Sequence, residues 1–490
     1  MHGGLIFLTI WDGIDLSTIL IIIAYLISIS LSLMIISENR QPAKTLAYLV
    51  TLFALPFIGV IIYFIFGENY RKKKLYSKKF ISDTGTYNRF VDYMARMSDE
   101  ALRSHIGTIK GNAQLVSMLV NDSKLPLSVN NKVKILLNGE EKFPAVLEEL
   151  EKAKHHIHIE YYIYEDSDIA NKIKEVLIRK SREGVQVRLM YDDFGSSISR
   201  SYQKELTDAG VQMAPFFKVY LHLLANRNNY RDHRKIIIVD GVVGFTGGIN
   251  VSDKYINDPK YRNEYYWRDT HLQINGDAVK LLQFLFFMNW NFCCDNTIPL
   301  SHDYFPDHDA EGSQLVQIAY SGPDSDRASV MLSYFAAINN AREYIYLTTP
   351  YFIPNESILN SLKKAALSKV DVRLLVPGIS DSRFVNAAAQ SYYEEIMEAG
   401  VKVYLYEKGF VHAKTLIADH SLSMVGSANI DYRSFDFNFE LNAVVFDEGT
   451  HNGLKDSFMI DLENSREIVL EEWKKRSRRK KLFESCCRLL

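Results

Sequence analysis

Two distant stretches of this chain carry the same spaced pattern, H-x-K-x4-D-x6-G-[GS]-x-N. The first reads His233, Lys235, Asp240, Gly247, Gly248 and Asn250, and the second His412, Lys414, Asp419, Gly426, Ser427 and Asn429. With each residue type at roughly one in twenty, six matched positions arise by chance about once in 10^8 starts. Two occurrences therefore mark an internal duplication, and a duplicated chain folds as two like units.

The flanks repeat as well. Ala153-Lys-His-His-Ile-His-Ile-Glu-Tyr-Tyr-Ile-Tyr164 matches Ala341-Arg-Glu-Tyr-Ile-Tyr-Leu-Thr-Thr-Pro-Tyr-Phe352, Val187-Arg-Leu matches Val372-Arg-Leu, and Asp208-Ala-Gly-Val matches Glu398-Ala-Gly-Val. The spacing drifts by a few residues, as loop changes within a duplicated domain would produce. The largest slip falls in 212–232, which reads as a loop inserted near the site. β-like apolar runs alternate with helical stretches, which predicts an α/β fold. One copy is expected over 131–300 and the other over 313–490, the last part of it a basic tail.

Each His-x-Lys opens an apolar run, Ile236 to Val239 and Thr415 to Ala418. Residues i and i+2 of a strand share a face, so each histidine projects beside its lysine. Gly248, Ser427, Asn250 and Asn429 follow the next strand and are candidates for holding an anion through backbone N–H groups and side-chain amides. An imidazole, a cation and amide donors from each half would enclose one phosphate. Asp240 and Asp419 complete the candidate catalytic set, although each stands at a strand-to-turn junction where holding the turn is the competing role. Asp269 and Glu440 open the next apolar run after their motifs and are candidates for orienting the histidine rings. His155, His156 and His158 suggest a metal at first sight, but their alternation and their counterparts Glu343 to Tyr346 favour a strand face.

The N-terminal part is a different material. Leu16–Ile36 and Thr45–Phe66 are uncharged runs of 21 and 22 residues, each long enough to cross roughly 30 Å of hydrocarbon. A two-helix transmembrane hairpin over residues 1–70 is expected, with a basic linker and helical connector over 71–130. No Lys or Arg precedes the first run, Arg40 and Lys44 lie between the runs, and Arg71, Lys72, Lys73, Lys74, Lys78 and Lys79 follow. The positive-inside rule places residue 70 onward in the cytoplasm. The 57 Lys+Arg nearly balance 59 Asp+Glu, for a net charge of -2, which argues against a nucleic-acid partner. Cysteines occur only as Cys293-Cys294 and Cys486-Cys487, without the spacing of a zinc site or a disulfide framework. The basic stretch Trp473 to Lys481 reads either as a solvated helix face or as a contact with an anionic leaflet.

The duplicated motif resembles the phospholipase D superfamily. The apolar head with Pro56-Phe-Ile-Gly-Val-Ile-Ile-Tyr-Phe-Ile-Phe-Gly67, together with Arg231-Asp-His-Arg-Lys-Ile, Trp267-Arg-Asp-Thr-His271, Thr349-Pro-Tyr-Phe352 and Asp431-Tyr-Arg-Ser434, resembles bacterial cardiolipin synthases. The C-terminal Cys486-Cys-Arg-Leu-Leu490 departs from the apolar ending that the family favours. The resemblance implies two phospholipase D-like repeats, each a mixed sheet flanked by helices, with the active site between them. It also implies a phosphohistidine intermediate with no metal and no cofactor, His233 as nucleophile and His412 as acid. The reaction it implies is phosphatidyl transfer between two phosphatidylglycerols with release of glycerol, in a multi-pass protein of the bacterial inner membrane. Phosphatidylglycerol, other anionic phospholipids and the bilayer are the partners so implied. Delivery of the phosphatidyl group to water or another alcohol, as in a phospholipase D, is the rival.

Overall fold

The computed structural model describes residues 16–37, 42–66, 96, 100–109, 111–123, 126–216, 230–261, 263–294, 296–307, 312–323, 325 and 327–489. The apolar helices form one compact unit, and the described residues from 96 onward form the other.

In the apolar unit the first run is one helix, α1 (Leu16–Ser37), about 33 Å long at 1.5 Å per residue. The second run is not one helix. It divides into α2 (Pro42–Ala54) and α3 (Pro56–Phe66), because Pro56 has no N–H and its ring clashes with the preceding turn. The two pieces fold back on each other. The rings of Tyr48 and Tyr63 meet edge to face at 5.7 Å, and a Cβ on Gly59 would stand 2.6 Å from the carbonyl oxygen of Thr51 and 2.8 Å from the Cα of Leu52. Only glycine permits that approach. Both pairs are symmetric about Leu55–Pro56, so α2 and α3 form an antiparallel hairpin, with Ile35, Leu52 and Tyr63 at the heart of the unit. At about 20 Å and 16 Å, neither arm crosses a bilayer core of roughly 30 Å. The expected second spanning helix is thus replaced by a short hairpin. The basic residues 71–79 lie outside the described residues.

The larger unit is built on one 15-stranded mixed sheet. The first repeat contributes β1 (Leu127–Leu137), β2 (His156–Tyr161), β3 (Gln186–Asp192), β4 (Gln212–Phe216), β5 (Lys235–Val239), β6 (Val243–Gly247) and β8 (Thr270–Gly276), with the short β7 (Tyr266–Arg268) outside the sheet. The second contributes β9 (Gln314–Ser321), β10 (Tyr344–Thr348), β12 (Asp371–Pro377), β13 (Lys402–Tyr406), β15 (Thr415–Ala418), β16 (Leu422–Gly426), β18 (Glu440–Phe446) and β19 (Ser465–Glu467), with β11 (Phe352–Ile353), β14 (Gly409–Val411) and β17 (Ile430–Asp431) outside it. The order runs β4-β3-β2-β5-β6-β8-β1 and then β9-β18-β16-β15-β10-β12-β13-β19. Each repeat is the other's image about the antiparallel β1–β9 pair, so the halves share one sheet.

One apolar cluster belongs to each repeat, and a third spans both, joining Ile236, Leu272 and Trp290 to Ile318, Tyr346 and Phe458. The helices Ala278–Cys293 and Glu448–Glu463 occupy equivalent places against that shared core. Burying such side chains contributes about 1.5–3 kcal/mol each, enough to lock the halves together. The helix Ala113–Ser123 packs Leu115, Val116 and Leu119 into the core of the second repeat.

Candidate active site

β2 is parallel to β3 and antiparallel to β5, with Tyr161 opposite Lys235. The C-terminal ends of β2 and β3 therefore share an edge with the start of β5, where His233 stands. By the same topology Thr348 of β10 faces Thr415 of β15, and His412 stands at the equivalent place.

Short cross-repeat pairings bring the two places together. The His233 N–H donates to the carbonyl of Phe439 at 3.0 Å, and the His412 N–H to that of Arg268 at 2.7 Å. β14 pairs with β7 in parallel, and Asp232 bridges Phe439 in the same sense. Each histidine is thereby held against the strand of the other repeat that leads to a carboxylate. The consequence is a crossed pairing. His233 Nδ1 donates to Glu440 Oε1 at 2.9 Å, and His412 Nδ1 donates to Asp269 Oδ2 at 2.7 Å. A carboxylate only accepts, so each Nδ1 carries the proton and each neutral ring keeps its lone pair on Nε2.

Both carboxylates are themselves anchored. Glu440 accepts from Ser427 Oγ at 2.5 Å and Asn438 Nδ2 at 3.2 Å, and Asp269 accepts from the Thr270 N–H at 2.7 Å. Burial would raise the pKa of both, but His412 and Lys414 together hold Asp269 below the ordinary value, and His233 with Lys235 does the same for Glu440. Burial pushes both imidazoles down to about 4, against the pull of their carboxylates. Burial also lowers Lys235 to about 7 and Lys414 to about 8. Lys235 Nζ donates to the His233 carbonyl at 2.5 Å, and Lys414 Nζ to that of His412, as the shared strand face requires.

The remaining candidates divide. Asn250 sits beside this group, its Oδ1 accepting from the Ile163 N–H at 3.3 Å and its Nδ2 donating to Tyr255 at 2.6 Å. Asn429 is buried with no hydrogen-bond partner for its Oδ1 among the described residues. Gly248 and Ser427 do not offer their backbone to an anion, because their N–H groups donate to the carbonyls of Thr270 and Leu441. Their place is under the carboxylates. A Cβ on Gly248 would stand 2.1 Å from Asp269 Oδ1, whereas Ser427 reaches the longer Glu440.

Asp240 and Asp419 lie at the far end of their strands, seven residues past the histidines and up to about 24 Å from them at the strand rise of roughly 3.4 Å per residue. Asp240 accepts from the N–H groups of Lys154, His155 and His156 at 2.8, 2.8 and 2.9 Å, and Asp419 from those of Arg342, Glu343 and Tyr344. Both hold φ at 53°, a left-handed turn conformation that aspartate tolerates. Their assignment to catalysis is corrected to tying β2 and β10 to their turns.

His156 and His158 face the helix Ala278–Cys293. His156 Nε2 meets Gln283 Oε1 at 2.9 Å, and His158 stacks on Phe286 at 4.5 Å. This is a buried strand face, and no metal-binding cluster occurs among the described residues. In the basic tail, Lys474, Arg476 and Lys481 pair with Glu398 and Glu394, so part of its charge is consumed within the protein.

Asp192 was not foreseen. Ending β3, it accepts from the N–H groups of Phe194, Gly195 and Asp232 at 3.1, 2.9 and 3.0 Å, and so fixes the backbone leading to His233. Its position at the close of an apolar run was the available signal. Aromatic rings wall the histidines, with Tyr162 at 4.8 Å from His233 and Trp267 and Tyr255 each at 5.7 Å from His412.

Comparison with known proteins agrees with the two-repeat architecture. A family model described as cardiolipin synthase, PLD-like domain, matches residues 146–277 and again 334–461, and one described as phospholipase D-nuclease N-terminal matches 19–68. The chain belongs to the bacterial cardiolipin synthase family of the phospholipase D superfamily. It is 43% identical to cardiolipin synthase 2 of Bacillus anthracis over 92% of this chain and 87% of that one. It is 42% identical to the cardiolipin synthase of Alkalihalophilus pseudofirmus (94% and 91%) and 37% identical to the major cardiolipin synthase of Bacillus subtilis (97% and 99%). Among solved structures, phosphatidylserine synthase of Haemophilus influenzae aligns with a TM-score of 0.57 at 13% identity, covering 77% of this chain and 98% of that one. That likeness concerns the fold alone.

Proposed function

We propose that this protein joins two phosphatidylglycerols into cardiolipin and glycerol through a phosphohistidine. The observation that carries the reading is the crossed pair of imidazoles, each oriented by a carboxylate of the other repeat. In the first step Nε2 of neutral His233 attacks phosphorus. The bond to the head-group glycerol breaks as protonated His412 gives its proton to the departing oxygen. In the second step His412 takes the proton from the hydroxyl of the second lipid, whose oxygen forms the new P–O bond as the P–N bond breaks. Lys235, Lys414, Asn250 and Asn429 neutralise the non-bridging oxygens in both steps. A phosphate anion between the rings raises the pKa of His412, which supplies the proton that the first step needs. Asp269 and Glu440 hold the tautomers, Gly248 makes room for the first carboxylate and Ser427 donates to the second.

Membrane association suits such substrates. In this reading α1 crosses the bilayer, and the α2–α3 hairpin enters and leaves by the cytoplasmic face. Arg40, Lys44 and the basic residues 71–79 then all lie inside, as the positive-inside rule favours. Holding the phosphoenzyme among oriented phosphatidylglycerols favours a lipid hydroxyl over water. Purified full chain in phosphatidylglycerol vesicles should release about one glycerol per cardiolipin. Phosphatidic acid as the main product would establish hydrolysis instead, and either His233→Ala or His412→Ala retaining turnover would end the two-histidine mechanism.

A further inference from the structure

Apolar side chains stand in water around the edge of the sheet that carries the histidines. Phe194 is 54% exposed, Ile379 40%, Phe384 60%, Leu482 67% and Phe483 37%. Phe194 lies in the turn after β3 and Ile379 in the turn after β12, the equivalent strands of the two repeats. Both strands end at the histidine edge, since each is parallel to a strand whose end adjoins the start of β5 or β15. The turn after β12 belongs to the rim of the site, where Tyr351, in the loop after β10, donates to Asp381 at 2.6 Å.

The helix Arg383–Glu398 starts at that turn, and the terminal helix Arg478–Arg488 packs beside it. The rings of Phe384 and Phe483 meet at 6.1 Å, and the Arg383 guanidinium lies 5.8 Å from the centre of the Phe483 ring. Arg478 and Arg479 precede Leu482 and Phe483 by four residues, so each arginine shares a helix face with one exposed apolar residue. Ion pairs with Glu394, Glu395 and Glu398 engage Lys474, Arg476, Lys481 and Arg488. Arg383, Arg478 and Arg479 stand outside that set among the described residues. Aromatic and aliphatic tips edged by exposed guanidiniums fit a head-group layer, with rings at the acyl boundary and cations on lipid phosphates.

We propose that this rim seats in the surface of an anionic bilayer, with Phe384, Phe483, Leu482 and Ile379 from the second repeat and Phe194 from the first entering it. Lipid head groups would then reach the histidines without crossing bulk water. The inference rests on the reading of the substrates as membrane lipids, and it adds a docking surface on the larger unit.

The full chain, reconstituted in phosphatidylglycerol vesicles, is compared with a Phe384→Ser/Phe483→Ser variant. Turnover of bilayer phosphatidylglycerol should fall about tenfold or more, while turnover of a short-chain phosphatidylglycerol, monodisperse below its micelle concentration, should stay within about twofold. Phe384→Trp should add fluorescence that brominated lipids quench, relative to the unmodified chain. Equal bilayer turnover by the double variant, absence of quenching, or a detergent-solution dimer that the double variant dissolves would overturn the proposal, the last by assigning the patch to a second copy. Quenching by a preparation inactive on both substrates would support the seat while removing the activity assignment.

Discussion

Replacing Glu440 by glutamine tests the crossed wiring directly. Glu440 is fully buried and receives three donors, His233 Nδ1, Ser427 Oγ and Asn438 Nδ2. A hydrogen bond to a charged group contributes about 1.5–3 kcal/mol, equivalent to about 10- to 150-fold in rate. The amide makes matters worse, because its NH2 faces a donor in either orientation. Relief comes by shifting the imidazole proton to Nε2, which covers the attacking lone pair and can cost about 10^4. The expected loss therefore lies between about 10^2- and 10^4-fold.

The discriminating substrate is phosphatidyl-p-nitrophenol, whose leaving group needs no proton. With it, Glu440→Gln should slow the p-nitrophenolate burst in stopped flow by at least about 100-fold. Asp269→Asn, which disturbs only the acid, should change the burst by less than about threefold. With phosphatidylglycerol both variants should be slow. A burst that depends on Asp269 and ignores Glu440 would refute the pairing or reverse the two histidine roles. Unchanged melting midpoints would exclude a folding defect.

Two further outcomes follow from the buried charges and the apolar unit. For the free enzyme, kcat/KM on monomeric substrate should decline above about pH 4, where free His412 loses the proton its acid role needs, and more steeply through 7–8, because Lys235 and Lys414 carry charge only below their values of about 7 and about 8. No acid limb should centre on the ordinary histidine value of about 6.5, since burial keeps the nucleophile neutral down to about 4; a limb at that value would contradict the burial of His233. In oriented vesicles, an impermeant maleimide should label cysteine introduced at His2 and at Lys72 from opposite faces. Labelling from one face would show that α2 and α3 together cross the bilayer as a second span.

Local pattern determined a good deal of this protein. The duplicated motif implied two like α/β halves, and period-2 alternation put His233 with Lys235 and His412 with Lys414 on one face, because neighbours along a strand are set by backbone geometry alone. The length of the first apolar run sufficed for α1. What tertiary structure decided is what depends on closure over long separations. Asp269 and Glu440 were identifiable as ring partners, but which ring each serves follows from the β7–β14 pairing and the Asp232–Phe439 bridge across the two-fold. Asp240 and Asp419 travel with the motif in sequence, yet a strand of five residues carries Asp240 to the opposite edge, where it ties down a turn. The second apolar run has the composition of a spanning helix, and Pro56 with Gly59 is compatible with either a kink or a reversal. The meeting of Tyr48 with Tyr63 and of Gly59 with Leu52 selects the reversal, because helix packing is settled by which surfaces come close enough to touch, and hydropathy carries no record of that.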